Sequence, residues 1–289
     1  MANRYIIGLD IGGTNIRAIC LPERPTLSAV RFAVRHAVRL STPHTKQEFF
    51  RALESIIKKL APQSTRGNSL LGIGAALAGV VDPSGARLVG AANIPFLRGW
   101  EAKKYFRRLA PRAAIENDVR CFLRAEHRFG AARGYAHATA MAVGTGIGGA
   151  IMIDGKLWGG ALNSAGEIGH SVFCVKGPAS AKASAGRQGS RVMYQEFEKM
   201  AAKEAYEKYG DRSNLIGVGV ANFINIVGPE IMVLGGGGGL SKHVNLKIVR
   251  SAARKHALRS IRGKTLIVKG TLGDTAQAIG AALLVASPK

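Results

Sequence analysis

The sequence predicts an α/β fold of two similar domains with a cleft between them. Two observations carry this. Strand-like and helix-like apolar patterns interleave in both halves of the 289-residue chain. Each half also holds an apolar strand, a glycine turn and a returning strand: Tyr5 to Ala18 in the first, Ala138 to Ile153 in the second. A chain of this length suffices for two domains of ordinary size.

In chain order, Tyr5 to Leu9 is a short apolar run of the kind that makes a buried strand, and Asp10 puts a carboxylate at its end. Arg31 to Leu40 alternates basic and apolar residues and reads as a half-exposed strand. Thr45 to Leu60 carries apolar residues at helical spacing, opens with a Thr45–Glu48 capping box and is ended by Pro62. Leu70 to Val81 is apolar and rich in Gly and Ala, and Asp82-Pro83-Ser84-Gly85 closes it as a turn. Ala114 to Asp118 is a strand end followed by a helix through Phe129. In the second half, Asp154-Gly155 signals a hairpin, and Gly177 to Gly189 is a low-complexity tract read as a loop. A charged helix over Val192 to Tyr209 and an apolar helix over Leu215 to Ile226 follow. Ile231 to Leu234 reads as a buried strand before five glycines, Val244 to Arg262 as a basic helix, Thr265 to Val268 as a strand and Thr275 to Val285 as a small-residue helix.

Several classes are excluded. No run of 18 apolar residues appears, so no transmembrane helix is expected. No signal-peptide pattern opens the chain. Cys20, Cys121 and Cys174 are scattered and odd in number, which fits a reducing cytoplasm. There is no Walker A motif, and Gly235 to Gly239 lacks the GxGxxG fingerprint and the acidic partner of a dinucleotide dehydrogenase. The charge is unusual: 41 Lys and Arg against 18 acids, formally +23. Such an excess favours polyanions, polyphosphate among them. It is equally read as cations solvated over the whole surface, because no nucleic-acid-binding motif accompanies it.

The chemistry points to phosphoryl transfer, which needs a phosphate cradle with Mg²⁺, an acceptor pocket and a base near the acceptor hydroxyl. Asp10 beside Gly12-Gly13, with donors from Thr14 and Asn15, suits a nucleoside triphosphate and its metal; the alternative is an ordinary hairpin with a surface aspartate. Gly144-Thr145-Gly146 offers a second cradle, and Gly235 to Gly239 a backbone flat enough for a nucleoside. Asn117-Asp118 by itself reads as a helix cap; beside a sugar hydroxyl, Asp118 would accept its proton. Glu167 and His170, pinned between glycines, are spaced to reach one small polar ligand.

Asp10-Ile11-Gly12-Gly13-Thr14-Asn15, Glu116-Asn117-Asp118, Gly144 to Gly149 and Gly166-Glu167-Ile168-Gly169-His170 resemble the ROK family of sugar kinases and repressors. So do Asn225 to Gly237 and Leu272-Gly273-Asp274-Thr275-Ala276. The motifs stand in family order and span nearly the whole chain. The resemblance implies an actin/hexokinase-type (ribonuclease H-like) fold whose two domains close on sugar and ATP. The small domain is expected at 1–117 plus the C-terminal helix 274–289, the large one at 118–273. It implies transfer of the ATP γ-phosphate to a hexose hydroxyl, O6 of glucose first, with Mg²⁺. By motif match Asp118 is the catalytic base. Asn117, Glu167 and His170 hold sugar hydroxyls, and Gly79 and Asn93 line the sugar pocket. Asp10, Gly12, Gly13, Thr14, Asn15, Gly144, Thr145, Gly146, Gly235, Gly236 and Gly237 contact nucleotide or metal, the Mg²⁺ lying near Asp10. Family members are commonly dimers or tetramers, so a homodimer or homotetramer is expected.

One stretch departs from the family pattern. Many members follow Gly-His with CxCGxxGCxE, whose cysteines and that histidine hold a structural Zn²⁺. Here Ala183, Ala185 and Ser190 stand where the thiolates belong, and Val192 replaces the sugar-binding glutamate. Alanine cannot ligate a metal, so no structural zinc is expected; Glu196 is the candidate to stand in for the glutamate. Three other readings stay open: a polyphosphate-dependent glucokinase, a catalytically weakened sugar-binding protein, and a repressor. Only nine residues precede Asp10, too few for a helix-turn-helix, so no DNA-binding domain is expected.

Overall fold

The computed structural model describes residues 4–61, 69–91, 93–176, 192–201, 211–236 and 244–287. The first half contains β1 (Arg4–Ile11), β2 (Asn15–Pro22), α1 (Leu27–Arg35), β3 (Val38–Ser41), α2 (Lys46–Leu60), β4 (Ser69–Leu77), β5 (Val80–Val81), β6 (Leu88–Gly90), α3 (Ala102–Arg107) and β7 (Arg112–Asn117). Then come α4 (Asp118–Phe129), β8 (Ala138–Val143), β9 (Ile147–Ile153), β10 (Lys156–Trp158), β11 (Val172–Lys176), β12 (Val192–Glu196), α5 (Phe197–Ala201) and α6 (Ser213–Val227). The chain finishes with β13 (Ile231–Gly235), α7 (Leu246–His256), β14 (Leu266–Lys269) and α8 (Ala276–Ala282).

The strands build two five-stranded sheets of the same plan, ordered β3-β2-β1-β4-β7 and β10-β9-β8-β13-β14. In each, the first strand in sequence lies at the centre. It pairs antiparallel with the hairpin that follows and parallel with the crossover strand on its other side. The β1–β2 and β8–β9 glycine turns therefore occupy matching places in the two sheets.

Period-two alternation divides β1 between two cores. Ile7, Leu9 and Ile11 face a cluster built with Phe49, Leu53 and Phe106 from α2 and α3, while Ile6 belongs to a central cluster. That central cluster joins α1, α4 and α8 to Ala138, Ala140, Ile231 and Val233 of the second sheet. A third cluster fills the far side of the second sheet with Phe197, Val220 and Val249 from α5, α6 and α7. The result is five layers, helix–sheet–helix–sheet–helix. The middle layer can be this thin because its residues are small: a Cβ on Gly8 or Gly74 would overlap the carbonyl oxygen of Ala278 or Ala281 in α8. The small-residue helix expected near the C-terminus thus lies directly on the first sheet and against α4.

Local signals hold where the energetics are local. The Thr45 hydroxyl donates to Glu48 Oε2 at 2.8 Å and accepts from the Glu48 N–H at 3.3 Å, closing the capping box that starts α2. Three segments differ from expectation. Residues 27–35 are helix, and of the strand expected over Arg31 to Leu40 only its end is strand, within β3 (Val38–Ser41). The buried Val30 and Ala33 lie three apart, which is a helical period, and Thr26 caps the helix by accepting the Ala29 N–H. Val192–Glu196 is strand rather than helix, because β11 supplies an antiparallel partner in the register Val172↔Glu196; residues 202–209 and the 177–189 tract lie outside the described residues. The basic helix is shorter than 244–262. It stops at His256, where the chain turns away and the Leu258 N–H donates to Asn225 Oδ1 at 2.8 Å.

Candidate functional site

Alternation along β1 puts Asp10 on the face shared by Ile6 and Gly8, toward the middle helical layer. Asp10 is buried, 4% exposed, and its Oδ2 accepts from Arg17 Nη1 at 3.2 Å. Burial raises its carboxyl to about 6; Arg17 pulls the other way, and Asp274 adds to the rise. Asp274 is itself held by Arg17 at 3.4 Å and Arg39 at 4.0 Å. Asp118 is the first residue of α4 and is half-buried. Desolvation pushes its carboxyl up to about 7, with the negative charges of Asp10 and Glu167 adding to the effect. Both carboxyls are thus raised toward neutral pH, each by burial first.

The glycine turns flank these acids. In the β1–β2 turn the Gly12 N–H bonds the Asn15 carbonyl at 3.0 Å. A Cβ on Gly13 would lie 2.6 Å from Asn93 Cβ, so Asn93 backs directly onto this turn. Asn15 Oδ1 accepts from Arg39 Nε at 3.0 Å, and Thr14 is exposed. The matching β8–β9 turn is closed by a bond from the Gly144 N–H to the Gly146 carbonyl at 2.8 Å, with Thr145 exposed at its tip. Gly148 and Gly149 belong to β9 rather than to the turn. Gly235 ends β13 over the Phe122 ring of α4, and Gly236 (φ 75°) packs on Val143, next to Gly144. Gly237 lies outside the described residues.

On the acceptor side, Asn117 ends β7 and caps α4: its Oδ1 accepts the N–H groups of Val119 (2.9 Å) and Arg120 (3.1 Å). Its amide nitrogen donates to the Gly79 carbonyl at 3.1 Å. The cap uses the Asn117 side-chain oxygen and the Gly79 bond one of its two amide hydrogens, so the second can still be donated. Gly79 has φ 155°, and a Cβ there would overlap the Gly90 carbonyl, so only glycine lets the chain pass after β4. Glu167 and His170 lie on the loop after β10, both exposed, on a 3-10 turn over Ile168–His170. Desolvation lifts the Glu167 carboxyl above its usual range, against the opposing pull of His170 and Arg120. His170 Nδ1 stands 3.5 Å from Glu196 Oε1.

Several residues that hold this site were missed from sequence. Arg120 is buried, pairs with Glu116 Oε1 at 3.1 Å and donates from both terminal nitrogens to the side chain and carbonyl of Asn163. Asn163 has φ 55° and donates to the Val81 and Asp82 carbonyls, tying the Glu167 loop to β5. Thr42, buried after β3, donates its hydroxyl to the Gly12 carbonyl at 2.6 Å. Glu198 accepts the Ile147 N–H at 2.7 Å and fixes the second glycine turn. Glu126, fully buried in α4, accepts from the N–H groups of Ala131, Thr271 and Leu272 and from the Thr271 hydroxyl, which sets the loop that bears Asp274. Glu116 and Arg120, an acid and a base four apart across the junction of β7 and α4, were the one available sequence signal.

Among the described residues no group of three or more His, Cys, Asp or Glu is placed to hold a metal ion.

Residues 6–287 match the ROK family. N-acetylgalactosamine kinase AgaK of Shewanella sp. (strain ANA-3) is 32% identical over 80% of this chain and 80% of its own. A glucokinase of Thermotoga maritima is 26% identical over 99% of this chain and 98% of its own. The crystal structure of a ROK family glucokinase from Streptomyces griseus, in complex with glucose and AMPPNP, superposes with a TM-score of 0.75 at 23% identity, covering 97% of this chain and 98% of that one.

Proposed function

This chain belongs to the ROK family, and from that premise we propose that it is an ATP-dependent hexose kinase with Asp118 as general base. The observation that carries the proposal is the Asp118 carboxyl at the N-terminus of α4, next to the capping Asn117, raised to about 7 by desolvation first and then by the charges of Asp10 and Glu167. A base tuned near the working pH is half deprotonated there and still basic enough to take a hydroxyl proton. As the sugar oxygen, O6 of glucose in the first instance, forms its bond to the γ-phosphorus, its proton passes to the Asp118 carboxylate. The bond from that phosphorus to the bridging oxygen breaks, and ADP leaves.

The other residues fall into roles around that step. Asn117 keeps one amide hydrogen for a sugar hydroxyl, and Glu167 and His170 offer an acceptor and a ring nitrogen from the opposite loop. Gly79, whose carbonyl holds the Asn117 amide, and Asn93, which backs onto Gly13, complete the pocket on this reading. The two glycine turns leave their backbone bare of side chains at matching places in the two sheets, a fit for phosphate oxygens, and Gly235-Gly236 extends that surface toward a nucleoside. ATP with Mg²⁺, when bound, supplies the phosphoryl group and offsets its charge. On this reading, 1–117 with 274–289 and 118–273 are the two lobes, with α4 and α8 packed between the sheets; lobe closure excludes water and limits wasteful hydrolysis.

The test is the initial phosphorylation rate over a panel of glucose, mannose, fructose, N-acetylglucosamine and N-acetylgalactosamine, with Mg-ATP and separately with polyphosphate. A sugar-dependent rate with ATP supports the proposal. A rate with polyphosphate alone replaces the donor and gives the +23 charge a role. Sugar binding without any phosphorylation refutes the kinase reading in favour of a binding protein.

A further inference from the structure

We infer that Glu196 is a positioning residue that orients His170 for the sugar, in the place where many family members use a structural zinc ion. The inference rests on the sugar-kinase reading above. The zinc site does not fit this chain: the positions that would carry thiolates are Ala183, Ala185 and Ser190, and none of these side chains can ligate zinc as a thiolate does. The His170 side chain is 62% exposed, and packing alone does little to hold its ring. The structure instead brings a carboxylate to it, Glu196 Oε1 at 3.5 Å from His170 Nδ1.

Backbone geometry builds this pair. Val172 lies opposite Glu196 in the β11–β12 register, and the Phe197 N–H donates to the Ser171 carbonyl at 2.8 Å. The residue after His170 is thus bonded to the residue after Glu196. Phe197 is fully buried and packs on Phe173 with ring centroids 4.9 Å apart, which fixes the start of α5 beneath the pair. On α5, Lys199 Nζ holds the second carboxylate oxygen, Oε2, at 2.9 Å. Lys199 first, and His170 after it, keep the Glu196 carboxyl below its usual range, so the carboxylate is charged when it meets the ring. Glu198, two residues on, is committed to the Ile147 N–H and the glycine turn instead. Glu196 is therefore anchored on both sides, with one oxygen for Lys199 and one for His170.

The chemical consequence is a choice of tautomer. In the neutral ring a carboxylate facing Nδ1 favours the proton on that nitrogen, which makes Nε2 the acceptor for a sugar hydroxyl. Carboxylate partners of this kind orient metal-bound histidines in many sites, and losing one commonly costs ten- to a hundredfold in function. Here the carboxylate would act without the metal. The same arrangement explains how a chain lacking the family glutamate at position 192 retains an acidic group beside His170.

The experiment compares the full chain with its Glu196→Ala and Glu196→Gln variants. Two readouts are used: steady-state kinetics for sugar and ATP, and the tautomer of His170 from the ¹⁵N shifts of its ring, measured without substrates. The expected result is a rise of about tenfold or more in sugar KM for Glu196→Ala, with ATP KM little changed. The Nδ1–H tautomer of the wild type should give way to a mixture. Glu196→Gln, whose amide oxygen can still accept from Nδ1–H, should recover most of both. An unchanged tautomer and unchanged sugar KM in Glu196→Ala would overturn the inference, as would one zinc per chain in protein purified without chelator. Wild-type protein that phosphorylates no sugar would overturn the kinase reading, and the tautomer measurement would still decide the role of Glu196.

Discussion

Replacing Asp118 with Asn should remove turnover and stabilise the protein at the same time. The Asp118 carboxyl is raised from 3.8 to about 7. That is roughly 3 units, or about 4 kcal/mol at about 1.36 kcal/mol per unit, as a ceiling on what ionising it costs the folded chain. Asp118 is half-buried and shares its shift with Asp10, so solvent screening and coupling reduce the expected figure to about 2 kcal/mol. The folded-state value lies above the unfolded one, so the folded chain holds the proton to higher pH. The penalty is absent below about pH 4, grows through the window up to about 7 and is complete above it. Asn carries no charge and escapes it, while its side-chain oxygen can keep the bond that Asp118 Oδ1 accepts from the Val119 N–H. In thermal melts the variant should therefore exceed the wild type by about 3 °C at pH 8 and match it near pH 4. In kinetic assays kcat should fall at least about a hundredfold with sugar affinity nearly intact. Wild-type kcat/KM should rise with pH through about 7, and that rise should be missing from the variant's residual rate. Turnover within tenfold of wild type would refute the base assignment; an unchanged melting temperature at pH 8 would refute the desolvation argument.

Three more outcomes follow from the same contacts. Glu126→Ala leaves the Ala131, Thr271 and Leu272 N–H groups without their acceptor, and urea unfolding should show a loss of about 3 kcal/mol or more; a loss under 1 kcal/mol would mean water takes the carboxylate's place. Arg120→Met cuts the tie between the α4 N-terminus and Asn163, so sugar KM should rise about tenfold with little change for ATP; equal shifts in both would show a global rather than a local effect. Thr45→Ala removes a helix cap far from the acids and should cost about 1 kcal/mol in denaturant melts, with kinetics unchanged.

What the sequence by itself determined was whatever a few neighbouring residues decide. The α2 capping box, the Asp154-Gly155 hairpin and the strand–glycine–strand units rest on bonds within a handful of positions. The family motifs were legible for the same reason: Asp10 with Gly12-Gly13, Asn117-Asp118 and Glu167 with His170 are short constellations. The strand expected over 31–40 rests on residues that alternate in charge at spacings of three and four, and the buried Val30 and Ala33 show that the helical period decides there. Tertiary structure alone decided the rest. Val192–Glu196 became strand because β11 lay ready to pair with it. Arg120 meets Asn163 across 43 positions, and Glu126 meets Leu272 across 146, so no local pattern records either. The proton affinities of Asp10 and Asp118 arise from burial and from neighbouring carboxylates, Asp274 beside Asp10 and Asp10 with Glu167 beside Asp118, which come together only when the chain folds. Sequence names the chemical groups; the free energy of each charge depends on what folding places around it.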